Sequence, residues 1–186
     1  MMKVRVLALA SAAAVALSGL TALAAHAALD QGTMAPEFKA TAYLGGDKFD
    51  FDLDAALKKG PVVVYFFPAA FTQGCQIEAH LFAESADAFK NAGATVIGVT
   101  AGNVDRVGEF SKDTRFCSGK FPIAADTDGS IAKLYASSLT FKPGWSGRDS
   151  YVIGKDHKIA LTYSNLDPND HVNKTLAAVK KLTGKG

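Results

Sequence analysis

The chain has 186 residues, a length at which one hydrophobic core commonly forms a single domain. Hydrophobic residues make up 48% of the sequence, which is enough apolar material to bury and excludes a solvated, disordered chain. The 20 basic and 18 acidic residues give a formal charge of +2, and this balance argues against binding to nucleic acid or to an anionic membrane.

The first 27 residues have the composition of a secretory signal peptide. Lys3 and Arg5 precede an apolar stretch over 6–17, and the small residues of Ala25-His26-Ala27 follow. The alternative is an uncleaved membrane anchor, because the uncharged stretch is long enough to span a bilayer, but its many alanines favour cleavage. We expect cleavage after Ala27 and a periplasmic or secreted domain of residues 28–186. Loss of two basic residues and no acidic residue lowers its formal charge from +2 to zero.

Apolar segments of strand and helix character alternate along the rest of the chain. An unbroken apolar run over 62–67, opened by Gly60-Pro61 and ended by Pro68, predicts a strand buried on both faces. Apolar residues at helical spacing predict a helix over about 72–92 directly after it. We predict further strands at 94–100, 121–125, 150–153 and 159–163, further helices after a capping Asn103, at 130–135 and at about 170–182, and a loop between 136 and 147.

The order of these elements is typical of the thioredoxin architecture. A strand-helix-strand-helix half implies parallel pairing of strands, and the chain then closes with a strand hairpin and a last helix. We therefore predict an α/β protein with a thioredoxin-like fold, in which helices flank a central mixed β-sheet.

Cys75 lies where the predicted long strand has ended and the long helix is beginning. Unpaired N–H groups in the first turn of a helix carry partial positive charge, so a thiolate is favoured over a thiol there. Thr72 is a candidate N-cap whose side-chain oxygen would face the backbone N–H of Cys75, leaving its hydroxyl proton free for a substrate oxygen. Pro68 cannot extend the hydrogen bonding of the strand, so it would bend the chain near the sulfur. Taken singly, each of these residues also has an ordinary structural explanation.

Together these residues match the pattern P-x-x-x-T-x-x-C, and here the sequence resembles the peroxiredoxins of the AhpC/TSA superfamily, whose active-site signature this is. The segment Gly32-x-x-Ala35-Pro36-x-Phe38 is similar to the opening of family members, and Glu78 falls where many of them carry a glutamate. The segment that begins with Arg148, RDSYVI, is similar to a family segment whose arginine sits beside the reactive sulfur. The resemblance therefore adds Arg148 to the predicted site.

The resemblance implies a thiol-dependent peroxidase that reduces hydrogen peroxide and organic hydroperoxides. The Cys75 thiolate would attack one peroxide oxygen, and Thr72 and Arg148 would orient both oxygens and stabilise the charge on the leaving one. Cys75 would become a sulfenic acid, with neither metal nor cofactor required. A thioredoxin-like thiol reductant would complete the cycle, and the expected assembly is a monomer or a homodimer.

Cys117 is the second cysteine of the predicted domain, and two cysteines in an exported protein indicate a structural disulfide by default. Members of the bacterioferritin-comigratory or Q type often carry a resolving cysteine at the position of His80, whereas others carry it near the third helix. The resemblance therefore implies that Cys117 resolves the Cys75 sulfenic acid as an intramolecular disulfide. Bridging requires Cα atoms within about 7 Å, so local unwinding could be required first. A permanent disulfide and a buried free thiol, with Cys75 resolved by an external thiol, are the alternatives.

Other functions on the same fold stay open at this point. A thiol-disulfide oxidoreductase would carry C-x-x-C, but Glu78 stands at the second cysteine position, and a copper-delivery protein would carry C-x-x-x-C, where Ala79 stands. A non-catalytic or redox-sensing domain with a Cys75–Cys117 disulfide would be oxidised without turnover, since a fold alone does not establish activity. We expect no nucleic-acid partner, and no membrane contact once the signal peptide is removed.

Overall fold

Seven β-strands form one sheet in the computed structural model of the chain, which describes residues 28–185. The predicted signal peptide at 1–27 lies outside the described residues. The strands are β1 (Lys39–Leu44), β2 (Asp47–Asp52), β3 (Val62–Phe66), β4 (Thr95–Thr100), β5 (Ile123–Ala125), β6 (Asp149–Ile153) and β7 (Ile159–Ser164). The α-helices are α1 (Leu53–Leu57), α2 (Gln73–Asn91), α3 (Val107–Lys112), α4 (Ser130–Leu134) and α5 (His171–Thr183), and a 3-10 helix over Val104–Arg106 precedes α3.

The sheet is mixed, with the strand order β2-β1-β5-β4-β3-β6-β7. β3 pairs in parallel with β4, and β4 in parallel with β5. β3 also pairs antiparallel with β6, which forms a hairpin with β7, while β1 joins β5 antiparallel at the other side. The predicted α/β fold, with helices flanking a central mixed sheet, is confirmed. In the described part of the chain, every helix is too short or too polar to cross a bilayer.

Both faces of the sheet are covered, which explains why β3 is apolar at every position. Val62, Val64 and Phe66 pack in one buried cluster with side chains of α1 and α4. Val63 and Tyr65 alternate with them and pack in a second cluster with side chains of α2, α3 and α5. A strand whose side chains are buried on both sides carries no polar alternation, as predicted for 62–67.

The elements predicted from residue 62 onward are present, with bounds that differ by about two residues at most. Asn103 occupies the predicted N-cap position, at the start of the 3-10 helix over Val104–Arg106, but its side chain makes no capping hydrogen bond. Asn103 has a left-handed backbone with φ of 53°, and its side-chain amide donates a hydrogen bond to the carbonyl of Ala70 at 2.8 Å. The amide therefore ties the start of the third helical region to the loop that follows β3. The β1–β2 hairpin and α1 were not predicted, although Gly45 and Gly46, with φ of 61° and 93°, make the turn between the two strands.

Candidate active site

Cys75 lies in the first turn of α2, directly after the loop that follows β3. Thr72 precedes the helix with an extended backbone, so Cys75 is the third helical residue. The N–H groups of this turn have no acceptor within the helix, and the positive end of the helix dipole therefore lies at the sulfur. The Cys75 side chain is only 1% exposed and packs in the apolar cluster on the α2 side of the sheet. In this apolar environment, a charged Cys75 sulfur is therefore stabilised mainly by the polar groups that contact it.

Thr72 supplies the first polar contact to the sulfur. Its Oγ1 lies 2.9 Å from Cys75 Sγ and 3.1 Å from the carbonyl oxygen of Ala69. We expected this oxygen to cap α2 by accepting a backbone N–H, but the hydroxyl is directed to these two acceptors instead. A hydroxyl carries a single proton, so Thr72 can donate to the sulfur, to Ala69 or to a substrate oxygen, one at a time.

Arg148 supplies the second contact, from the residue immediately before β6. Its Nη2 donates to Cys75 Sγ at 3.6 Å, and its Nη1 donates to the Gly74 carbonyl at 3.4 Å. Nη1 also forms a short ion pair with Glu78 Oε2. Gly74 makes this approach sterically possible, because a Cβ there would lie 2.9 Å from Arg148 Nη2. The structure therefore brings Thr72 and Arg148 to the same sulfur.

The Arg148–Glu78 pair is buried, and this determines its electrostatics. Burial raises the pKa of Glu78 and outweighs the opposing effect of the Arg148 charge. For Arg148, burial acts to lower the pKa, but the charges of Glu78 and Cys75 hold it above the ordinary value. The guanidinium is therefore a permanent positive charge at the sulfur, with little water to screen it.

Pro68 lies in the loop that carries the chain from β3 to the sulfur. Its carbonyl accepts a hydrogen bond from Thr100 Oγ1 at 3.3 Å, and Ala69 then forms a bridge with Gly102. Gly102 lacks a Cβ that would meet the Pro68 carbonyl, so the two loops can touch. Pro68 thus shapes the backbone beside Cys75, while its ring makes no hydrogen bond to the sulfur.

Comparison with known proteins shows which family the chain belongs to. The sequence model of the AhpC/TSA family matches residues 31–162, which is more than half of the chain. The chain belongs to the AhpC/TSA family. The matched region includes Cys75, Thr72 and Arg148.

Two kinds of relative place the chain more closely within the AhpC/TSA family. Chloroplastic peroxiredoxin Q of Sedum lineare is 32% identical over 126 residues, which cover 67% of this chain and 66% of that protein. The chain thus spans just under two thirds of that relative. The crystal structure of peroxidoxin BcpB from Mycobacterium tuberculosis superimposes with a TM-score of 0.72 at 27% identity, covering 82% of this chain and 97% of that one. AhpC of Mycobacterium bovis, at 18% identity and a TM-score of 0.74, covers 86% of this chain and 96% of its own and shares the fold.

Cys117 lies in the turn segment after α3, and its side chain is fully buried. Both Cys75 and Cys117 are free thiols in this structure, and both belong to the same apolar cluster. Burial raises the pKa of Cys117 well above the ordinary value, and the nearby charge of Asp113 adds to the effect. Cys117 is therefore a neutral thiol while this segment stays folded.

Aromatic side chains connect the Cys117 segment to the loop before Cys75. Phe71, next to Thr72, has φ of 66°, a conformation that costs energy for a residue with a Cβ. Its ring packs edge-on against Phe110 at 5.1 Å and Phe116 at 6.1 Å, and the guanidinium of Arg106 lies 3.9 Å from the ring centre. Because Phe116 directly precedes Cys117, the conformations of the two cysteine segments are coupled by packing.

A possible metal-binding group lies away from Cys75. Among residues 28–185, Glu37, Asp54 and His157 are close enough to share an ion. His157 lies in the β6–β7 turn, at the end of β6 opposite to Arg148, so this group is remote from the sulfur. His157 lies 3.8 Å from Glu37 and 3.6 Å from Asp54, and the Lys58 ammonium pairs with Asp54, so a protein cation already faces one of these acids.

Sequence reasoning found the sulfur, its two polar neighbours and, through the resemblance, the position of Glu78, but it missed the contacts behind them. The burial of Glu78 and the need for a glycine at position 74 depend on Arg148, which is distant in the chain. His171, at the start of α5, also lies behind Glu78, with its Nδ1 3.6 Å from Glu78 Oε1. In the sequence, the only feature that pointed to His171 was its place at the start of an amphipathic helix. This feature is weak evidence for a residue near the site.

Proposed function

We propose that this protein is a thiol-dependent peroxidase that reduces hydrogen peroxide and organic hydroperoxides. One observation carries the proposal: Thr72 Oγ1 and Arg148 Nη2 both contact Cys75 Sγ, at 2.9 Å and 3.6 Å. A hydroxyl and a guanidinium at one sulfur can each hold an oxygen of a bound peroxide. The likeness to peroxiredoxin Q supports the same activity.

The reaction begins with attack of the Cys75 thiolate on one oxygen of the peroxide. A sulfur–oxygen bond forms while the oxygen–oxygen bond breaks, so the sulfur is oxidised to a sulfenic acid. The leaving oxygen takes a proton and departs as water from hydrogen peroxide, or as an alcohol from an organic hydroperoxide. Arg148 stabilises the negative charge that develops on this oxygen, and Thr72 donates its hydroxyl proton to one of the two oxygens.

We propose that Cys117 resolves the sulfenic acid. Its sulfur attacks Cys75 Sγ, the sulfur–oxygen bond breaks, and water leaves as the disulfide forms. The segment around Cys117 has to open first, because the buried thiol is neutral and a thiolate is the attacking species. A thioredoxin-like dithiol then reduces the disulfide by thiol-disulfide exchange and returns both free thiols.

Export to the periplasm or beyond the cell completes the proposal. Its support is the order of basic, apolar and small residues over 1–27. Expression of the full chain, fractionation and mass spectrometry of the N-terminus test it. A mature chain that begins at Ala28 in the exported fraction is the expected result, and an intact chain retained in the cytoplasm would contradict it.

Peroxide consumption by three forms of the protein tests the two chemical roles. We expect the reduced wild type to react with hydrogen peroxide far faster than free cysteine, and Cys75→Ser to lose the reaction. Cys117→Ser should keep its first turnover and stop there, because the sulfenic acid has no internal partner. A wild-type rate equal to that of free cysteine would refute peroxidase function.

Retention of a free Cys117 after peroxide treatment would refute only its resolving role. The same experiment, repeated with a dithiol present, tests the alternative of a redox-sensing domain. Such a domain would be oxidised once and would not turn over. Gel filtration of the reduced protein distinguishes the monomer from the homodimer.

A further inference from the structure

Tyr65 is a fully buried tyrosine of β3 whose hydroxyl is unpaired. Its side chain has no exposed surface, and its hydroxyl has no hydrogen-bond partner among residues 28–185. The other two fully buried tyrosines differ, because Tyr135 donates to the Pro36 carbonyl at 2.7 Å and Tyr151 donates to the Tyr135 carbonyl at 2.6 Å. Burial of a hydroxyl without a partner costs free energy, so Tyr65 brings an uncompensated polar group into the core.

The ring of Tyr65 reaches from β3 across β4 towards β5, on the α2 side of the sheet. It stacks on Phe82 of α2, with the ring centres 4.3 Å apart. A Cβ on Gly98 in β4 would lie 2.8 Å from the Tyr65 hydroxyl and 2.7 Å from Cδ1 of Ile123 in β5. Phe121, which leads into β5, packs edge-on against the Tyr65 ring at 5.9 Å. The hydroxyl therefore lies over β4, at the side of the ring that faces β5.

The Cys117 segment, residues 113–121, connects α3 to β5 at this side of the ring. Cys117 and Phe121 belong to the same buried cluster as Tyr65. Burial raises the pKa of Tyr65 well above its ordinary value, and among the neighbouring charges a thiolate at Cys117 adds most to this effect. The Tyr65 hydroxyl thus lies beneath the segment that carries the second cysteine.

The backbone of the Cys117 segment is suited to open without the rest of the domain. In the described part of the chain, the backbone hydrogen bonds of this segment stay between residues 110 and 121, so opening breaks no pairing in the sheet. Ser118 and Gly119 have left-handed backbones, with φ of 53° and 62°, and this conformation costs energy for a serine. A segment held by local bonds can open alone, and water can then bond to the Tyr65 hydroxyl.

We propose that Tyr65 is a positioning residue whose unpaired hydroxyl destabilises the closed form of the Cys117 segment and thereby favours the opening that exposes Cys117. The closed form carries the cost of the unpaired hydroxyl, whereas the open form does not. This difference raises the open fraction of the segment by about tenfold. For its use in catalysis, the proposal rests on the proposed resolving role of Cys117.

Tyr65→Phe tests the proposal, because it removes the hydroxyl and keeps the ring. In a Cys75→Ser background, the rate at which iodoacetamide alkylates Cys117 reports the open fraction of the segment. We expect Tyr65→Phe to slow this alkylation by about tenfold and to raise the thermal midpoint by about 3 °C. Removal of a buried tyrosine hydroxyl would thus stabilise the protein.

Tyr135→Phe is the matched control, because Tyr135 is equally buried but its hydroxyl is bonded. Loss of that bond should lower the thermal midpoint without slowing the alkylation of Cys117. A Tyr65→Phe variant that lowers the thermal midpoint as Tyr135→Phe does would show that the Tyr65 hydroxyl is bonded, and would overturn the proposal. Alkylation of Cys117 at the parent rate would also overturn it.

Amide hydrogen exchange of the reduced protein locates the effect in the chain. We expect Tyr65→Phe to slow exchange in residues 113–121 by about tenfold, because a smaller fraction of the segment is open. Slower exchange in β3 and β4 with no change in the segment would show a general gain in stability. That result would overturn the assigned role.

The rate of disulfide formation after one equivalent of hydrogen peroxide connects Tyr65 to the reaction. We expect the Cys75–Cys117 disulfide to form about tenfold more slowly in Tyr65→Phe than in the wild type, and a wild-type rate would overturn the role in resolution. If the wild type forms no such disulfide, the resolving role of Cys117 fails. Alkylation and amide exchange do not depend on peroxide, so they still decide whether Tyr65 controls the opening.

Discussion

Replacement of Thr72 by valine tests the most direct contact at the sulfur. Valine keeps the branched shape but removes the hydroxyl that lies 2.9 Å from Cys75 Sγ. A hydrogen bond to a charged group is worth about 2 kcal/mol, which corresponds to a rate lower by about 30-fold. Thr72→Ser retains the hydroxyl, so we expect it to react within about threefold of the wild type.

Stability distinguishes this contact from a helix cap. If the hydroxyl capped α2, valine would lower the free energy of unfolding by about 1 kcal/mol. Because the structure directs the hydroxyl to the sulfur and to Ala69, we expect a change below about 0.5 kcal/mol. Stopped-flow fluorescence with hydrogen peroxide gives the rate, and urea denaturation gives the stability. A valine variant that is destabilised by the full cap value but reacts at the wild-type rate would refute our reasoning.

Four further predictions concern the surroundings of the sulfur. Arg148→Lys keeps a charge but loses the planar fork that reaches Gly74, Glu78 and the sulfur together, so the peroxide rate should fall by about tenfold or more; an unchanged rate would contradict the role of the fork. Gly74→Ala places a Cβ 2.9 Å from Arg148 Nη2, so it should lower the same rate by displacing the guanidinium, and wild-type kinetics would contradict this. Gly98→Ala places a Cβ 2.7 Å from the Tyr65 ring, so urea denaturation should show a loss of about 1–3 kcal/mol. Glu78 has a pKa of about 8 against an ordinary 4.5, so between these values the folded state binds a proton that the unfolded state lacks. Stability should therefore fall as pH rises through this window, and Glu78→Gln should remove that dependence; identical pH profiles of the two proteins would contradict it.

The parts of the fold that could be predicted are those in which the local pattern of apolar residues indicates which side chains are buried. β3 is apolar at every position because both of its faces are covered, and α2 follows it with apolar residues at helical spacing. The β1–β2 hairpin lacks such a signal, because most of β2 is exposed and its polar residues alternate with only two phenylalanines. The glycine pair at 45–46 was the one local sign of a turn there.

The candidate site divides in the same way. Cys75 and Thr72 are close in sequence, so a short sequence motif is enough to predict that they lie together. Arg148 is distant in sequence and was predicted only from the family resemblance. The direction of the Thr72 hydroxyl was predicted wrongly, because a cap and a contact to sulfur require the same residue at the same spacing. Contacts of Glu78 with Arg148 and His171 join distant parts of the chain, and only the tertiary structure shows them.

The burial of Cys117 has a consequence for the proposed catalytic cycle at high peroxide concentration. If Cys117 resolves the Cys75 sulfenic acid as proposed, that acid persists until Phe71 and Phe116 separate enough for Cys117 to reach it. During that interval a second peroxide molecule can convert it to a sulfinic acid, which a dithiol does not reverse. The rate of this local opening therefore sets the peroxide concentration at which the protein inactivates itself. Weakening the contact with Phe116→Ala should raise that threshold.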